Sequence, residues 1–242
     1  MRIYGDLAPW FHLLTAPADY AGEAARYRTL ILEEVPDAHT LLELGSGGGN
    51  NASHLREHFA CTLSDLSPQM LTLSRELNPG CEHVLGDMRT LRLGRVFDAV
   101  FVHDAVMYLT TEDDLRACME TAFAHTRPGG VALFAPDCTR ETFAPGTDHG
   151  GHDGDDGRAL RYLEWTHPPA AGEPSFAVDY VVVLSEPGSE PRVVHERHLN
   201  GLFAEHTWLH FLEAAGFTAR VVPGDPDDED AVQPVFVCRR GA

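Results

Sequence analysis

Residues 41–51 read Leu-Leu-Glu-Leu-Gly-Ser-Gly-Gly-Gly-Asn-Asn, an apolar run that leads into a cluster of glycines. A short apolar run with this ending predicts a buried strand, followed by a glycine-rich turn and a helix. Such a turn lets the backbone approach a ligand closely, although it also occurs as a plain helix cap. Asp65 follows Gly45 by twenty residues, at the end of the next predicted strand, where a carboxylate can accept hydrogen bonds from both hydroxyls of a ribose. The stretch therefore predicts a site for a ribose-containing cofactor.

The alternation of element types around this stretch predicts the fold class. Helix-like periodicity covers residues 19–34, 50–58, 68–77 and 111–125, and strand-like runs cover 39–44, 60–65, 82–86, 97–103 and 131–136. Asp19 and Ser67 are predicted helix N-caps, and Pro68 suits the first position of its helix. Nearly unbroken apolar strands indicate a parallel sheet that is covered on both faces. We therefore predict a doubly wound α/β sheet.

The character of the chain changes after Asp137. Residues 147–157, rich in glycine, aspartate and histidine, predict a flexible surface loop. Further along are β-like runs at 158–166, 175–186 and 192–200, a helix at 205–215, strands at 217–222 and 232–239, and an acidic turn at 225–230. We expect a single domain over 1–242, in which 1–137 and 201–242 form a seven-stranded core and 138–200 form an antiparallel β insert that caps the substrate.

Composition excludes several classes of partner and mechanism. The net charge is −19, from 37 acidic and 18 basic residues, so nucleic acid and anionic membranes are not expected to bind. All 18 basic residues are arginine, which excludes lysine-based Schiff-base chemistry. Five cysteines without a CxxC pair indicate free thiols of a reducing compartment. Because no signal peptide or membrane span is evident, we expect a cytoplasmic protein.

Four motifs resemble those of the class I S-adenosylmethionine (SAM)-dependent methyltransferases. They are Glu43-x-Gly45-x-Gly47-x-Gly49, Asp65-Leu66-Ser67-Pro68-Gln69-Met70-Leu71, Gly86-Asp87-Met88 and Arg127-Pro128-Gly129-Gly130. The resemblance implies a seven-stranded Rossmann-like fold whose last strand is antiparallel. It also implies SAM as cofactor, with S-adenosylhomocysteine as the product.

The resemblance further implies roles for individual residues. Asp65 would bind the ribose, Asp87 would accept from the adenine amino group, and the Met88 backbone would read the ring edge. The full cofactor set implied is Tyr20, Glu43, Gly45, Gly47, Gly49, Asp65, Leu66, Met70, Asp87, Met88 and His103. Glu43 itself favours SAM over a dinucleotide, because a carboxylate beside the turn repels a pyrophosphate but suits a cationic cofactor. The alternative is that Glu43 only accepts bonds from turn amides.

The overall layout is similar to that of bacterial sugar N,N-dimethyltransferases and related natural-product enzymes. Residues 19–24, 93–99 and 198–203 carry this softer resemblance, which residues 149–156 do not share. It implies a small-molecule acceptor methylated on N or O, with an amino sugar as one candidate. The oligomeric state stays open, with a homodimer as one alternative.

Candidates for the reaction itself lie after the fourth strand and on the insert. Asp104 and Tyr108 follow that strand at the carboxyl edge of the sheet, where they either orient a substrate or serve as cap and core. His198 shares a strand face with Glu196, and we predict it as the general base, with a structural histidine as the alternative. His149 and His152 have ligand chemistry, but a glycine-rich loop is a poor metal site, so no metal is expected.

Three functions remain open at this level. The first is SAM-dependent methyl transfer to a small molecule. The second is SAM binding without methyl transfer, in a regulatory or scaffold protein, and the third is a nicotinamide-dependent oxidoreductase. Glu43 and the Gly86-Asp87-Met88 segment disfavour the third.

Overall fold

A computed structural model describes residues 1–170, 172–225, 227 and 232–242, so most of the predicted acidic turn at 225–230 lies outside the described residues. The helices are α1 Phe11–Leu14, α2 Ala21–Glu34, α3 Asn50–Leu55, α4 Pro68–Leu77, α5 Glu112–His125 and α6 Glu205–Ala215. The strands are β1 Thr40–Leu44, β2 Ala60–Asp65, β3 Glu82–Leu85, β4 Phe97–Val102, β5 Thr126–Phe134, β6 Gly146–Gly150, β7 Ala159–Thr166, β8 Ser175–Ser185, β9 Arg192–Gly201, β10 Phe217–Val222 and β11 Val235–Arg240. Short 3-10 helices cover Ala8–Trp10, Pro17–Tyr20 and Asp104–Tyr108. Among the described helices, none combines the length and apolar character needed to span a membrane.

The larger sheet has seven strands in the order β10-β11-β5-β4-β1-β2-β3. Strands β1 to β5 pair in parallel, whereas β11 runs antiparallel to both β5 and β10. One face packs against the buried side chains of Leu115 and Trp208, and the other against Tyr27 and Ile31 of α2. The predicted doubly wound fold with an antiparallel last strand is confirmed.

A second sheet follows β5 in the chain, with the antiparallel order β6-β7-β8-β9. The prediction of an antiparallel β insert is confirmed, but the flexible loop predicted at 147–157 is wrong because most of its first half is strand β6. This strand pairs with β7 through main-chain bonds, and the Tyr162 hydroxyl donates to Asp148 at 2.9 Å. A Cβ on Gly151 would overlap the carbonyl oxygen of Leu160, so glycine permits the close approach of these two backbone segments.

The N-terminal segment packs beneath the second sheet. Ile3, Leu7 and Trp10 form one buried cluster with apolar side chains of β7, β8 and β9. The end of β9 also reaches the core, since a Cβ on Gly201 would overlap the carbonyl oxygen of Leu109. The second sheet is therefore held against the core by the N-terminus on one side and by β9 on the other.

Helix starts follow the predicted capping in one case and depart from it in another. The Ser67 hydroxyl accepts the Met70 N–H at 3.2 Å, with Pro68 at the first helical position, as predicted. Asp19 does not cap α2, because it lies inside the preceding 3-10 helix, and its carboxylate pairs instead with His152 at 3.2 Å.

Candidate active site

The two sheets enclose one large cleft of 1740 Å³. It opens at the carboxyl ends of the parallel strands, the edge at which open α/β sheets bind ligands. Most of the residues that the motif resemblance assigns to the cofactor line one half of this cleft, which we call the cofactor half. The inner face of the second sheet lines the other half, which we call the acceptor half.

The glycine turn forms the floor of the first half. Gly45 has a φ of +76°, and a Cβ there would come 2.5 Å from the Ala105 side chain, so only glycine fits. The Gly47 N–H donates to Asp65 at 2.9 Å, and the Ser67 N–H donates to the other oxygen of Asp65 at 2.8 Å. Asp65 thus orders the turn while it lines the cleft at the position predicted for a ribose.

Glu43 is a buried acid whose second oxygen has no partner among the described residues. Its side chain is 3% exposed, yet the residue lines the cleft. Burial raises the pKa of Glu43 to about 8. An orphaned carboxyl of this kind fits a cationic ligand such as a sulfonium cofactor, and the alternative that Glu43 only serves turn amides has no bond to support it.

Asp87, Met88 and Leu66, which the motif resemblance assigns to the cofactor, all line the cleft. Both oxygens of Asp87 accept bonds from Arg89, which also pairs with Asp114 at 2.8 Å. These bonds lower the pKa of Asp87, so its carboxylate stays ionised. Arg89 is thus a partner of Asp87 that the sequence did not indicate.

Gly49 and Met70 do not line the cleft, although the motif resemblance places them in the cofactor set. A Cβ on Gly49 would overlap Asn78 and Ser74, so this glycine serves the packing of α4 behind the turn. Met70 is fully buried beneath the turn, where it supports Gly47 from below. Both residues shape the turn rather than face a ligand.

His103 and Tyr20 complete the cofactor half. Nε2 of His103 lies 3.1 Å from Asp104 and 3.4 Å from Glu23. Burial opposes a charge on this ring, but the hydrogen bond that the ring donates to the Glu23 carboxylate, with the charge of that carboxylate, outweighs burial and raises the pKa of His103. The Thr15 hydroxyl donates to the Tyr20 hydroxyl at 2.8 Å. Both residues line the cleft, and the carboxylates beside His103 favour the protonated form of its ring.

Two carboxyl groups stand where the halves meet. Asp104 follows β4 and Asp137 follows β5, and their side chains lie within hydrogen-bonding reach of each other. The side chain of Asp104 lines the cleft and is 46% exposed. Partial burial, together with the negative charges of Glu23 and Glu43, raises the pKa of Asp104 to about 7. The pKa of Asp137 is raised too, by burial and by the charge of Asp104.

Tyr108 lines the cleft, but His198 does not. The His198 ring lies behind the wall, beside a small separate cavity, where Nδ1 is 2.9 Å from the Tyr108 hydroxyl and Nε2 is 3.3 Å from Glu196. The shared strand face of His198 and Glu196 is as predicted. Burial lowers the pKa of His198, and a neutral ring with a carboxylate on Nε2 carries its proton there. His198 is therefore not placed to take a proton directly from an acceptor in the cleft.

The acceptor half also has an apolar wall and one amide. Met107, Phe176 and Val178 form a buried cluster on this side, against which Phe143 and Tyr180 pack. Asn200 lies opposite Phe176 in the register of β8 and β9 and also lines the cleft.

Asp137, Tyr4 and Asn200 belong to the cleft but were not predicted as site residues. Asp137 follows a core strand just as Asp104 does, so the rule that identified Asp104 would have found it. The Tyr4 hydroxyl lies 2.7 Å from that of Tyr108, a contact between distant parts of the chain that leaves no local signal. Within the described ranges, no three or more His, Cys, Asp or Glu side chains gather as a metal site would require.

Comparisons with known proteins show that this chain is similar to methyltransferases. The family described as a methyltransferase domain matches residues 41–130. The dTDP-3-amino-3,4,6-trideoxy-α-D-glucopyranose N,N-dimethyltransferase of Streptomyces venezuelae is 32% identical over 210 residues, which cover 86% of this chain and 87% of that protein. The dTDP-3-amino-3,6-dideoxy-α-D-glucopyranose N,N-dimethyltransferase of Streptomyces fradiae is 31% identical, covering 86% and 81% of the two chains.

Solved structures show the same likeness over nearly the whole chain. DesVI of Streptomyces venezuelae aligns with a TM-score of 0.86 and 28% identity, covering 98% of this chain and 99% of that one. SAM-bound CalS10, an amino pentose methyltransferase from Micromonospora echinaspora, aligns with a TM-score of 0.77 and 27% identity, covering 91% of each. The chain therefore belongs to the class I SAM-dependent methyltransferases, an enzyme family that uses SAM as methyl donor and releases S-adenosylhomocysteine, and it resembles the sugar N,N-dimethyltransferases of natural-product biosynthesis.

Proposed function

We propose that this methyltransferase acts on the amino group of a small natural-product intermediate, and that the acceptor is an amino sugar. The observation that carries the proposal is the carboxyl pair of Asp104 and Asp137, which stands between the cofactor half and the acceptor half of the cleft. Carboxylates attract and hold an ammonium group, whereas a neutral hydroxyl acceptor does not require two of them. The names of the relatives, which act on amino sugars, support the same class.

The chemistry needs an unprotonated amine. A bound ammonium group must therefore lose one proton to expose the nitrogen lone pair, to which bound SAM would supply the electrophilic methyl group of its sulfonium. Asp104 is suited to accept that proton, because a carboxyl with a pKa of about 7 exchanges protons readily at neutral pH. Tyr108, held by His198, orients the acceptor from the other side.

In the cofactor half, Asp65 is proposed to hold the ribose hydroxyls and Asp87 the adenine amino group. Tyr20, Glu43 and His103 are proposed to surround the methionine part. Residues 138–200 are proposed as the substrate cap, supported by the aromatic and amide side chains that the second sheet directs into the cleft. Closing the acceptor between cap and core would fix it for in-line attack.

The proposal is tested by incubating the full chain and SAM with a panel of amino sugars and with matched sugars in which a hydroxyl replaces the amine. Mass spectrometry should show gains of one and then two methyl groups on the amino sugars only. The Asp104→Asn variant should reduce the gain, and Asp113→Asn, an exposed acid on α5, should not. Methylation of the hydroxyl sugars instead would overturn the amine assignment.

Two statements about assembly belong to the same proposal. The net charge of −19 supports the absence of a nucleic acid partner, and a gel-shift experiment with random duplex tests this. A homodimer is supported by the outer face of the second sheet, where Leu163, Val193, Leu199 and Trp165 are exposed, the last at 54%. Light scattering of the purified chain measures the mass directly.

A further inference from the structure

The charges around the acceptor half distinguish this chain from an enzyme that binds a nucleoside diphosphate. Four carboxyl groups line that half, on Asp104, Asp137, Glu164 and Glu205. Arg89 is the only guanidinium among the described lining residues, and Asp87 and Asp114 pair with it at 2.6 and 2.8 Å, at the adenine end. The chain has no lysine. Apart from Arg89 and two histidines that pair with acids, the α-amino group of Met1 is the remaining cation of the described lining.

The N-terminus of helix α6 also offers no place for a phosphate. Helix α6 begins at Glu205 beside the cleft, and the Glu205 N–H already donates to the carboxylate of Glu141 at 3.0 Å. Free main-chain N–H groups at such a position bind phosphate well. Since one of these donors is used by a carboxylate and the first turn carries another acid, the position repels an anion.

The described rim next to Asp137 supplies no cation either. Phe134 of β5 pairs with Phe236 of β11, so Pro234 lies beside the end of β5, close to Asp137. Residues 223, 224 and 232–234 line the cleft. None of these described residues carries a charged side chain.

Asn200 shows independently that a ligand with hydrogen-bond donors belongs in this half. Its side chain lines the cleft, is only 7% exposed, and has an amide oxygen without a partner among the described residues. A buried amide oxygen without a partner is costly, and a sugar hydroxyl or an amine N–H would satisfy it. The acceptor half thus offers hydrogen-bond acceptors and negative charge together with apolar walls.

We propose that the acceptor is an amino sugar without a phosphate group, such as a glycoside formed after the nucleotide has been released, and that it binds through its ammonium group and hydroxyls. This inference rests on the proposed amine methylation and departs from the dTDP-linked sugars in the names of the relatives. A diphosphate in this cleft would meet the carboxylates of Glu164 and Glu205, and Arg89, the one guanidinium of the described lining, is already paired with two acids. In a pathway of this kind, glycosyl transfer precedes N-methylation.

The test compares two forms of one sugar with the full chain and SAM: dTDP-3-amino-3,6-dideoxyglucose and the methyl glycoside of 3-amino-3,6-dideoxyglucose. Rates of methylation are measured by mass spectrometry at low and at high salt. We expect kcat/KM for the glycoside to exceed that for the nucleotide by at least about tenfold at low salt, and the difference to shrink at high salt because salt screens the repulsion.

A charge-neutral variant sharpens the comparison. Glu205→Gln should raise kcat/KM for the nucleotide relative to the glycoside, while Glu213→Gln, an exposed change on the same helix that does not line the cleft, should leave the ratio unchanged. A preference for the nucleotide would overturn this inference and leave the proposed amine methylation intact. Methylation of neither sugar, with SAM bound normally, would overturn the proposed amino-sugar function itself.

Discussion

The Tyr108 hydroxyl lies 2.9 Å from Nδ1 of His198, so a histidine that is 3% exposed is connected to the wall of the cleft through one phenol. Beyond the ring, Glu196 accepts the main-chain N–H groups of Arg2 and Ile3, both at 2.8 Å. The N-terminal segment, the second sheet and the cleft wall are thus joined by one chain of hydrogen bonds. We propose that His198 acts by positioning Tyr108.

Replacing His198 with alanine should therefore displace Tyr108 rather than remove a base. We expect kcat to fall by less than about tenfold, below the loss typical of a missing general base, while KM for the acceptor rises and SAM affinity is unchanged. Steady-state kinetics with an amino-sugar acceptor and calorimetry with SAM measure both quantities. A fall in kcat of about 10²-fold or more at constant KM, across the pH range, would show that His198 takes the proton after all.

The pH dependence of turnover should report Asp104. Its raised pKa of about 7 means that the carboxyl is protonated in acid and becomes a proton acceptor as pH increases, so kcat should rise through about pH 7. The groups that surround it and share this titration are Asp137, His103, Glu23 and Glu43. Asp104→Asn should lower kcat and flatten this limb. An unchanged pH profile in that variant would assign the limb to another group.

Cofactor binding should release protons through Glu43. Because its pKa is about 8 in the free cleft, the carboxyl is largely protonated at neutral pH, and a bound cation favours the ionised form. SAM affinity should accordingly increase with pH up to about 8. Calorimetry in two buffers of different ionisation enthalpy measures the release, which Glu43→Gln should abolish. Equal release from both proteins would contradict the role of Glu43.

Asp65 should matter more for the cofactor than its charge alone suggests. Asp65→Ala removes the proposed ribose contacts and also two bonds that order the glycine turn, so SAM should bind more weakly by about 1 to 3 kcal/mol. Asp65→Asn, which keeps the size of the side chain, should recover part of the loss. Calorimetry gives both affinities, and an unchanged value for Asp65→Ala would remove Asp65 from the cofactor site.

The edge of the second sheet can be tested at a single glycine. Gly151 has a φ of +119° and packs against Leu160, whereas Gly188 has a φ of +81° in open space. Gly188→Ala should cost only the backbone strain of roughly 1 to 2 kcal/mol, and Gly151→Ala should cost more because strand β6 must move as well. Thermal unfolding measures the difference. We also expect Gly151→Ala to lower the rate of acceptor methylation while SAM affinity is retained. An equal loss of thermal stability in the two variants would contradict the packing argument.

Much of the core could be predicted because its signals are local. The run from Leu41 to Asn51 carries its own strand, turn and helix start, and the helix that begins after Ser67 is set by its cap and by Pro68. Asp65 was found by its distance along the chain from the glycine turn. These residues are ordered by neighbours a few positions away or by the regular spacing of parallel strands.

The rest of the site depends on contacts that sequence periodicity does not report. Strand β6 is held by main-chain bonds to β7, and its polar side chains suggested a loop. Tyr4 meets Tyr108 only once the N-terminal segment has folded beneath the second sheet. His198 lies on the expected strand face, but whether that face met the cleft or lay behind a tyrosine was decided by tertiary packing.

The second sheet leaves the core after β5 and returns at α6 without sharing a strand with the larger sheet. Asn200 and Glu164, two of the polar groups proposed to meet the acceptor, stand on this sheet, whereas the glycine turn and Asp65 stand on the other. Mutation can therefore diversify acceptor recognition while the cofactor site is preserved. The same separation makes the segment between β5 and α6 a natural unit for exchange between enzymes, and it gives protein engineers a defined boundary at which to graft a new acceptor range.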